Sequence, residues 1–236
     1  MTLLNDVPLF AVVPAAGVGS RMDASRPKQY LTLDGEYLAQ HTLQRLLAFT
    51  PFRKIVVALA ADDPWWPELA VANHPDIVTV IGGTERASSV RNALQWVLEH
   101  GGENSWVMVH DMARPLLTLS DLQSLYDQVG EQGALLASPV VDTVKWQAAD
   151  MVVEKTLDRH RVWRALTPQV FPARPLFNAL QHDTCDITDE ASAMEQQGWH
   201  PKLVPGRSDN IKITVAEDLA LAAYYLQYQR QECPPL

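Results

Sequence analysis

The stretch Leu9-Phe10-Ala11-Val12-Val13-Pro14-Ala15-Ala16-Gly17-Val18-Gly19-Ser20-Arg21-Met22 decides the fold. Leu9 to Pro14 is a short apolar run, which predicts a buried strand. It opens directly into a loop of small residues. Gly and Ala let backbone N–H groups approach an anion with no side chain in the way. A dinucleotide fingerprint would need a third glycine at position 22, where Met22 stands, and no Gly-Lys-Ser/Thr follows to make a P-loop. Arg21 adds a planar fork for phosphate oxygens, and Pro27-Lys28 brings a point charge a few residues on. Two convenient glycines at a strand-to-helix turn are the plain alternative. With Arg21 and Lys28 beside them, the loop reads as a triphosphate cradle.

Outward from this strand, extended and helical patterns alternate. Tyr37–Phe49 carries leucines at helical spacing, Lys54–Ala60 and Ile77–Ile81 read as strands, and Val90, Leu94, Val97 and Leu98 form a helical stripe. Trp106–His110 is a strand, Ser120 is placed to cap a helix through Val129, and Ala134–Ser138 is extended again. The alternation predicts an α/β fold, a mostly parallel sheet with helices on both faces. It breaks after Pro139. Val140–Asp158 holds two extended stretches around a polar turn at Gln147–Asp150, which predicts a protruding β-hairpin arm at about 139–160. A solvated surface hairpin and an element that packs on a partner or covers a site both remain open. Leu176–Gln181 and Asp189–Gln197 read as short helices, and Thr214-Val215-Ala216-Glu217 as a capping box before a helix over Asp218–Gln229. Neither repeat nor linker interrupts the chain, so residues 1–236 are expected to form a single domain.

Composition narrows the class. The hydrophobic fraction is 47 % and the charged fraction 20 %, the balance of an ordinary globular domain. The longest run without Asp, Glu, Lys or Arg is 14 residues, Val7–Ser20, too short for a membrane span of about 20. No Lys or Arg precedes Arg21, so neither a basic-start secretory signal nor an Arg-rich transit peptide is expected. The two cysteines, Cys185 and Cys233, suit neither a disulfide framework nor a metal site, and a reduced cytoplasmic setting is the default. With 28 acidic against 19 basic residues the net charge is −9, so nucleic acid and anionic membrane are not expected partners. Phosphate chemistry must therefore rest on a few focused Lys and Arg residues.

Three further motifs carry candidates. Gly82-Gly83-Thr84-Glu85-Arg86-Ala87-Ser88-Ser89 follows a strand, where Gly83 and Ser89 could meet a base edge or simply form a loop and a helix cap. Asp111, in His110-Asp111-Met112-Ala113-Arg114-Pro115, lies at the carboxyl end of a strand, where open α/β sheets bind ligands. A lone carboxylate beside phosphates is a normal Mg²⁺ ligand. Strand alternation points His110 away from it, so His110 reads as structural. Asp209-Asn210-Ile211-Lys212-Ile213-Thr214 places a lysine in a short strand before the last helix, where it either serves a ligand or protects an edge.

In order along the chain stand PAAGVGSRM, PKQYL, GGTERASSV, HDMARP, DTVK, TLDR, ALTPQ, ITDEASAME and DNIKIT. Together they resemble the 2-C-methyl-D-erythritol 4-phosphate cytidylyltransferase family of the non-mevalonate isoprenoid route, over about Phe10–Gln229. The resemblance implies a Rossmann-like nucleotidyltransferase fold and a homodimer with interlocking β-arms. It implies that Arg21 and Lys28 hold the triphosphate, and that Ala15, Ala16, Gly17, Gly83 and Ser89 line the CTP site. It gives Mg²⁺ to Asp111, places the acceptor phosphate on Lys212 and Arg159, and adds Thr143, Arg114, Thr167 and Thr188 around that substrate. Thr143 and Arg159 would then serve the partner's site. Met112 stands where the family usually has Ala, and Thr84 where Asp is common; neither change removes a charge that the reaction requires. The implied reaction joins CMP from CTP to methylerythritol phosphate and releases pyrophosphate. A phosphate monoester is largely dianionic near neutrality, so no general base is required. The rival readings are a ribitol 5-phosphate cytidylyltransferase and a non-catalytic nucleotide-binding regulator.

Overall fold

The computed structural model describes residues 2–17, 26–181 and 187–232. Arg21, Cys185 and Cys233 lie outside the described residues.

The central sheet is built from β1 (Leu9–Pro14), β4 (Phe52–Leu59), β5 (Ile77–Ile81), β6 (Trp106–Val109), β7 (Ala134–Pro139), β10 (Trp163–Pro172) and β11 (Lys202–Pro205). Their spatial order is β11-β7-β10-β6-β1-β4-β5. Every neighbouring pair is parallel except those made by β10, which runs antiparallel to both β6 and β7. Two small antiparallel pairs stand apart from this sheet: β2 (Thr32–Leu33) with β3 (Glu36–Tyr37), and β8 (Lys145–Gln147) with β9 (Val153–Thr156).

Side-chain alternation along the strands sends apolar residues to two cores. Leu9, Ala11 and Val13 of β1, with Ile55, Val57 and Met108, meet α1 (Leu38–Leu47) and α3 (Leu119–Gln128). Phe10, Val12, Val56, Ala58, Val107 and Val109 meet α2 (Arg86–Gly101), α4 (Ala173–Ala179) and α5 (Glu190–Gln196) on the other face. This two-sided burial is why the parallel strands read as continuous apolar runs. The last helix, α6 (Ala216–Glu232), covers a third cluster with Leu33, Leu38, Leu116 and Ile213. No described helix is long and apolar enough to cross a membrane.

Several local expectations need correction. Thr118, not Ser120, caps α3, because its hydroxyl accepts from the Asp121 backbone N–H. At α6 the reach-back carboxylate is Asp218 rather than Glu217: it accepts from the Thr214 and Val215 backbone N–H groups, and the helix starts at Ala216. Ile211–Ile213 is not in a strand. The stretch is tied to the body by the Ile213 N–H donated to the Ala113 carbonyl. The periodicity also gave no sign of β10 or β11.

Candidate active site

A cleft of about 380 Å³ opens at the carboxyl ends of β1, β5 and β6. Its walls are Pro14–Gly17, Lys28–Gln29, Gly83–Arg86, Ser89, Asp111–Ala113, Lys212 and Thr214. Five separate motifs of the sequence therefore meet in one place.

Each wall is fixed by its own bonds. Ala15 donates its N–H to the Ala58 carbonyl at 2.8 Å and accepts from Gln29 Nε2 at 2.9 Å. Gln29 and Tyr30 are buried, and the Tyr30 hydroxyl donates to Asp63 at 2.7 Å. Lys28 is thus the less buried of the two residues that the Lys28–Tyr30 turn presents to the cleft. Gly17 has open space where a Cβ would stand. A Cβ on Gly82 would lie 2.5 Å from Ala16 Cβ, and one on Gly83 would lie 2.1 Å from Ser88 Oγ. Gly82 is therefore required for close packing of the β5–α2 turn against the β1 loop, and Gly83 for the turn's own packing on Ser88. Ser89 is not the helix cap. Glu85 caps α2 with Ser88, while Ser89 Oγ accepts from the Gly83 N–H at 3.0 Å and donates to the Glu85 carbonyl.

Asp111 is the electrostatic centre. Its side chain is 9 % exposed; Oδ1 accepts from Arg86 Nε at 2.9 Å, and Oδ2 meets Lys212 Nζ at 2.9 Å and Arg114 Nε at 3.5 Å. Burial alone would raise its pKa, but Arg86, Lys212 and Arg114 outweigh that and hold it well below the usual carboxylate range. The opposite balance holds at Arg114, where burial lowers the guanidinium pKa against the pull of Asp111. The backbone beside Asp111 is set by a directional chain. The Asp111 N–H donates to Thr167 Oγ1, Thr167 faces His110 Nδ1 at 2.9 Å, and His110 Nε2 faces the Arg114 carbonyl. Burial pushes the His110 pKa down to about 4, so at neutral pH the ring is uncharged. One tautomer satisfies the chain, with the proton on Nε2 and Nδ1 accepting from Thr167. His110 is structural, as its strand position implied.

A divalent cation working on a triphosphate takes one or two carboxylates plus phosphate oxygens and water. Asp111 fits as the buried carboxylate of the cleft wall, which Glu85 shares as an exposed residue. No group of three or more His, Cys, Asp or Glu gathers among the described residues, so the donor set suits an ion shared with a phosphate ligand. Both Asp111 oxygens already face cations, and Lys212, on a flexible stem and 35 % exposed, is the partner best able to give way.

Of the residues singled out in the sequence, Ala15, Ala16, Gly17, Lys28, Gly83, Ser89, Asp111 and Lys212 line the cleft. Arg114 and Thr167 stand directly behind Asp111 and hold it. Thr188 bonds at the start of α5, where its hydroxyl donates to Ser192 Oγ at 3.4 Å. Thr143 is exposed, and Arg159 donates to the Val141 carbonyl at the foot of the β8–β9 ribbon; neither lines the cleft. Sequence reasoning missed Arg86 and Glu190. A signal existed for the first: Arg86 opens α2, where the helix dipole disfavours a cation unless an anion faces it.

Residues 9–228 match the sequence profile of 2-C-methyl-D-erythritol 4-phosphate cytidylyltransferase. The chain belongs to that family. It is 49 % identical to the Aliivibrio fischeri 2-C-methyl-D-erythritol 4-phosphate cytidylyltransferase over 98 % of its own length and 99 % of the relative's. The Tolumonas auensis protein of the same name is 52 % identical, with 94 % and 98 % covered. Among solved structures, a 4-diphosphocytidyl-2C-methyl-D-erythritol synthase superposes with a TM-score of 0.80 at 32 % identity, covering 93 % of this chain and 99 % of that one. The Francisella tularensis cytidylyltransferase gives 0.77 at 35 %, with 92 % and 99 % covered. The chain is thus a nucleotidyltransferase of the cytidylyltransferase family, with the family's α/β fold.

Proposed function

We propose that the chain transfers CMP from CTP to 2-C-methyl-D-erythritol 4-phosphate. A phosphate oxygen of the acceptor forms a bond to the α-phosphorus of CTP. The bond from that phosphorus to the α,β-bridging oxygen breaks, and pyrophosphate leaves with the electron pair. The products are 4-diphosphocytidyl-2-C-methyl-D-erythritol and pyrophosphate. The observation that carries the reading is the convergence of Lys28 and Lys212 on a cleft whose buried carboxylate is Asp111, with no need of a general base.

In this reading Ala15, Ala16, Gly17, Gly83 and Ser89 form the nucleotide wall, and Lys28 with Arg21 holds the triphosphate. Lys212 moves from Asp111 toward the acceptor phosphate. Each cationic contact is worth roughly 2–4 kcal/mol in the transition state. Asp111 is the residue that would hold Mg²⁺, and the chemistry supplied by that ion is neutralisation of charge across the triphosphate. Arg114 and Thr167 orient Asp111, and Thr188 completes the acceptor side.

The same reading makes the chain one domain that works as a cytoplasmic homodimer without nucleic acid. Support for pairing comes from the β8–β9 ribbon and the chain leading into it, where Val141, Trp146, Met151, Val152 and Val153 are all exposed, Met151 by 83 %. So much apolar surface on one ribbon suits burial against a second copy. Thr143 and Arg159 would then reach the partner's acceptor site. Phosphorus NMR of the chain with CTP, acceptor and Mg²⁺ tests the reaction. The expected spectrum gains pyrophosphate and a diphosphate diester, loses both with EDTA, and regains them with excess Mg²⁺. CMP without the diester would contradict it.

A further inference from the structure

We propose that Glu190 and Arg86 are a positioning pair that aims the cleft carboxylate of Asp111 and so sets how tightly the metal–triphosphate complex is held; this rests on the reading of Asp111 given above.

All three nitrogens of Arg86 are committed. Nη1 and Nη2 donate to the two Glu190 oxygens at 2.6 and 3.0 Å, and Nε donates to Asp111 Oδ1 at 2.9 Å. The guanidinium is planar, so a two-pronged grip by Glu190 fixes the direction of the third donor. Glu190 is 1 % exposed, and a buried carboxylate is retained only with strong partners. Burial would lower the Arg86 pKa, but Glu190 and Asp111 raise it above its ordinary value.

Glu190 is itself placed by a second set of bonds. It opens α5 beside Asp189, which caps the helix by accepting from the Ser192 N–H. Gln169 of β10 accepts from the Ala191 N–H at 2.8 Å and donates to Asp189 at 2.8 Å. Two residues earlier on β10, Thr167 accepts the Asp111 backbone N–H. One strand therefore fixes Asp111 twice, through its backbone by Thr167 and through its side chain by way of Gln169, α5, Glu190 and Arg86.

A core role alone does not account for this arrangement. A buried ion pair is often no more stabilising than apolar residues of the same volume. Arg86 also stands on the cleft wall, with its third donor on the carboxylate there. With Oδ1 held by Arg86, Oδ2 faces Lys212 and, at 3.5 Å, the more buried Arg114, so Lys212 is the most exposed cation of the set. Arg86 is the fixed partner of Asp111, and Lys212 is the one that can exchange.

The test uses Mn²⁺ as probe, with CTP present and acceptor absent, and reads free Mn²⁺ by electron paramagnetic resonance. Wild type, Glu190→Gln and Arg86→Lys are compared after circular dichroism and melting confirm the fold. Loss of a residue that orients a metal ligand typically weakens metal binding or activity 10- to 100-fold. The expected result is an Mn²⁺ dissociation constant raised about tenfold or more in both variants. The Mg²⁺ needed for half-maximal pyrophosphate release should rise in parallel, while KM for the acceptor stays near wild type. Folded variants with wild-type Mn²⁺ affinity and Mg²⁺ dependence would overturn the proposal. So would failure of both variants to fold, which would assign the pair to the core. A wild-type chain that releases no pyrophosphate fails the functional reading instead, and the Mn²⁺ comparison still decides the pair.

Discussion

Lys28 owes its position to its neighbours. Gln29 bonds the Ala15 carbonyl and Tyr30 is locked by Asp63 and by stacking on Trp65 at 5.7 Å, so the turn that carries Lys28 has little freedom. A charge held in place before the reaction acts most on the state in which charge develops. Lys28→Ala is therefore expected to lower kcat for pyrophosphate release by about 10²-fold or more, with a much smaller rise in KM for CTP. A change confined to KM would make Lys28 a ground-state binder. Lys28 and Asp111 were legible in the sequence because each follows a strand or a small-residue loop that already pointed to a ligand. Arg86 and Glu190 were not, since their pairing joins positions 104 residues apart that meet only because α4 packs against both α2 and α5. For Thr167 and Arg114 the family resemblance implied substrate contacts rather than a place behind Asp111. Their bonds give each a concrete task, supporting Asp111 from behind.

Two elements carry predictions of their own. The start of α6 depends on Asp218, whose carboxylate takes the Thr214 and Val215 N–H groups and the Thr214 hydroxyl. Burial is the largest single influence and opposes its ionisation, but these bonds together prevail and lower its pKa. The unfolded chain therefore binds this proton more readily, and the stabilisation is present above the ordinary aspartate pKa and lost as pH falls through the lowered one. Asp218→Ala should cost about 1 kcal/mol by chemical denaturation at neutral pH, and less in acid. An equal cost at both pH values would remove the carboxylate from the account.

The β8–β9 ribbon is tested by mixing chains. If Arg159 acts in its partner's site, Lys28→Ala and Arg159→Ala chains, each nearly inactive alone, form mixed dimers with one intact site. Random exchange should restore up to roughly a quarter of wild-type activity. No recovery despite proven exchange would place Arg159 in its own chain's site. The β8–β9 pair was legible from two extended stretches around the polar turn at Gln147–Asp150. The short β2–β3 pair was not read, although Asp34-Gly35 carries the turn signal: both have positive φ, 51° and 83°.

At the scale of the molecule, the cleft follows from strand order. The chain runs outward from β1 through β4 to β5, then returns to the far side of β1 as β6. That reversal opens a crevice at the strand ends, where the β1, β5 and β6 loops converge. Alternation of pattern was enough to predict this half of the sheet. In the other half only β7 was read, and β10 was hidden. Near its start Arg164 and Ala165 are exposed, and Pro168 stands in its middle, where a proline argues against a central strand. The register of β10 with β7 shifts between Ala165 and Gln169, and Pro168 falls within that shift. The same irregular stretch carries Thr167 and Gln169 to Asp111 and α5, so the feature that obscured the strand also builds the site. The central claim is that this crevice joins one nucleotide to one acceptor. Its most direct test is pyrophosphate release with each of CTP, ATP, GTP and UTP, crossed against methylerythritol phosphate and ribitol 5-phosphate. The account predicts rapid release only for CTP with methylerythritol phosphate. Equal or faster release with ribitol 5-phosphate, or with another nucleotide, would contradict it.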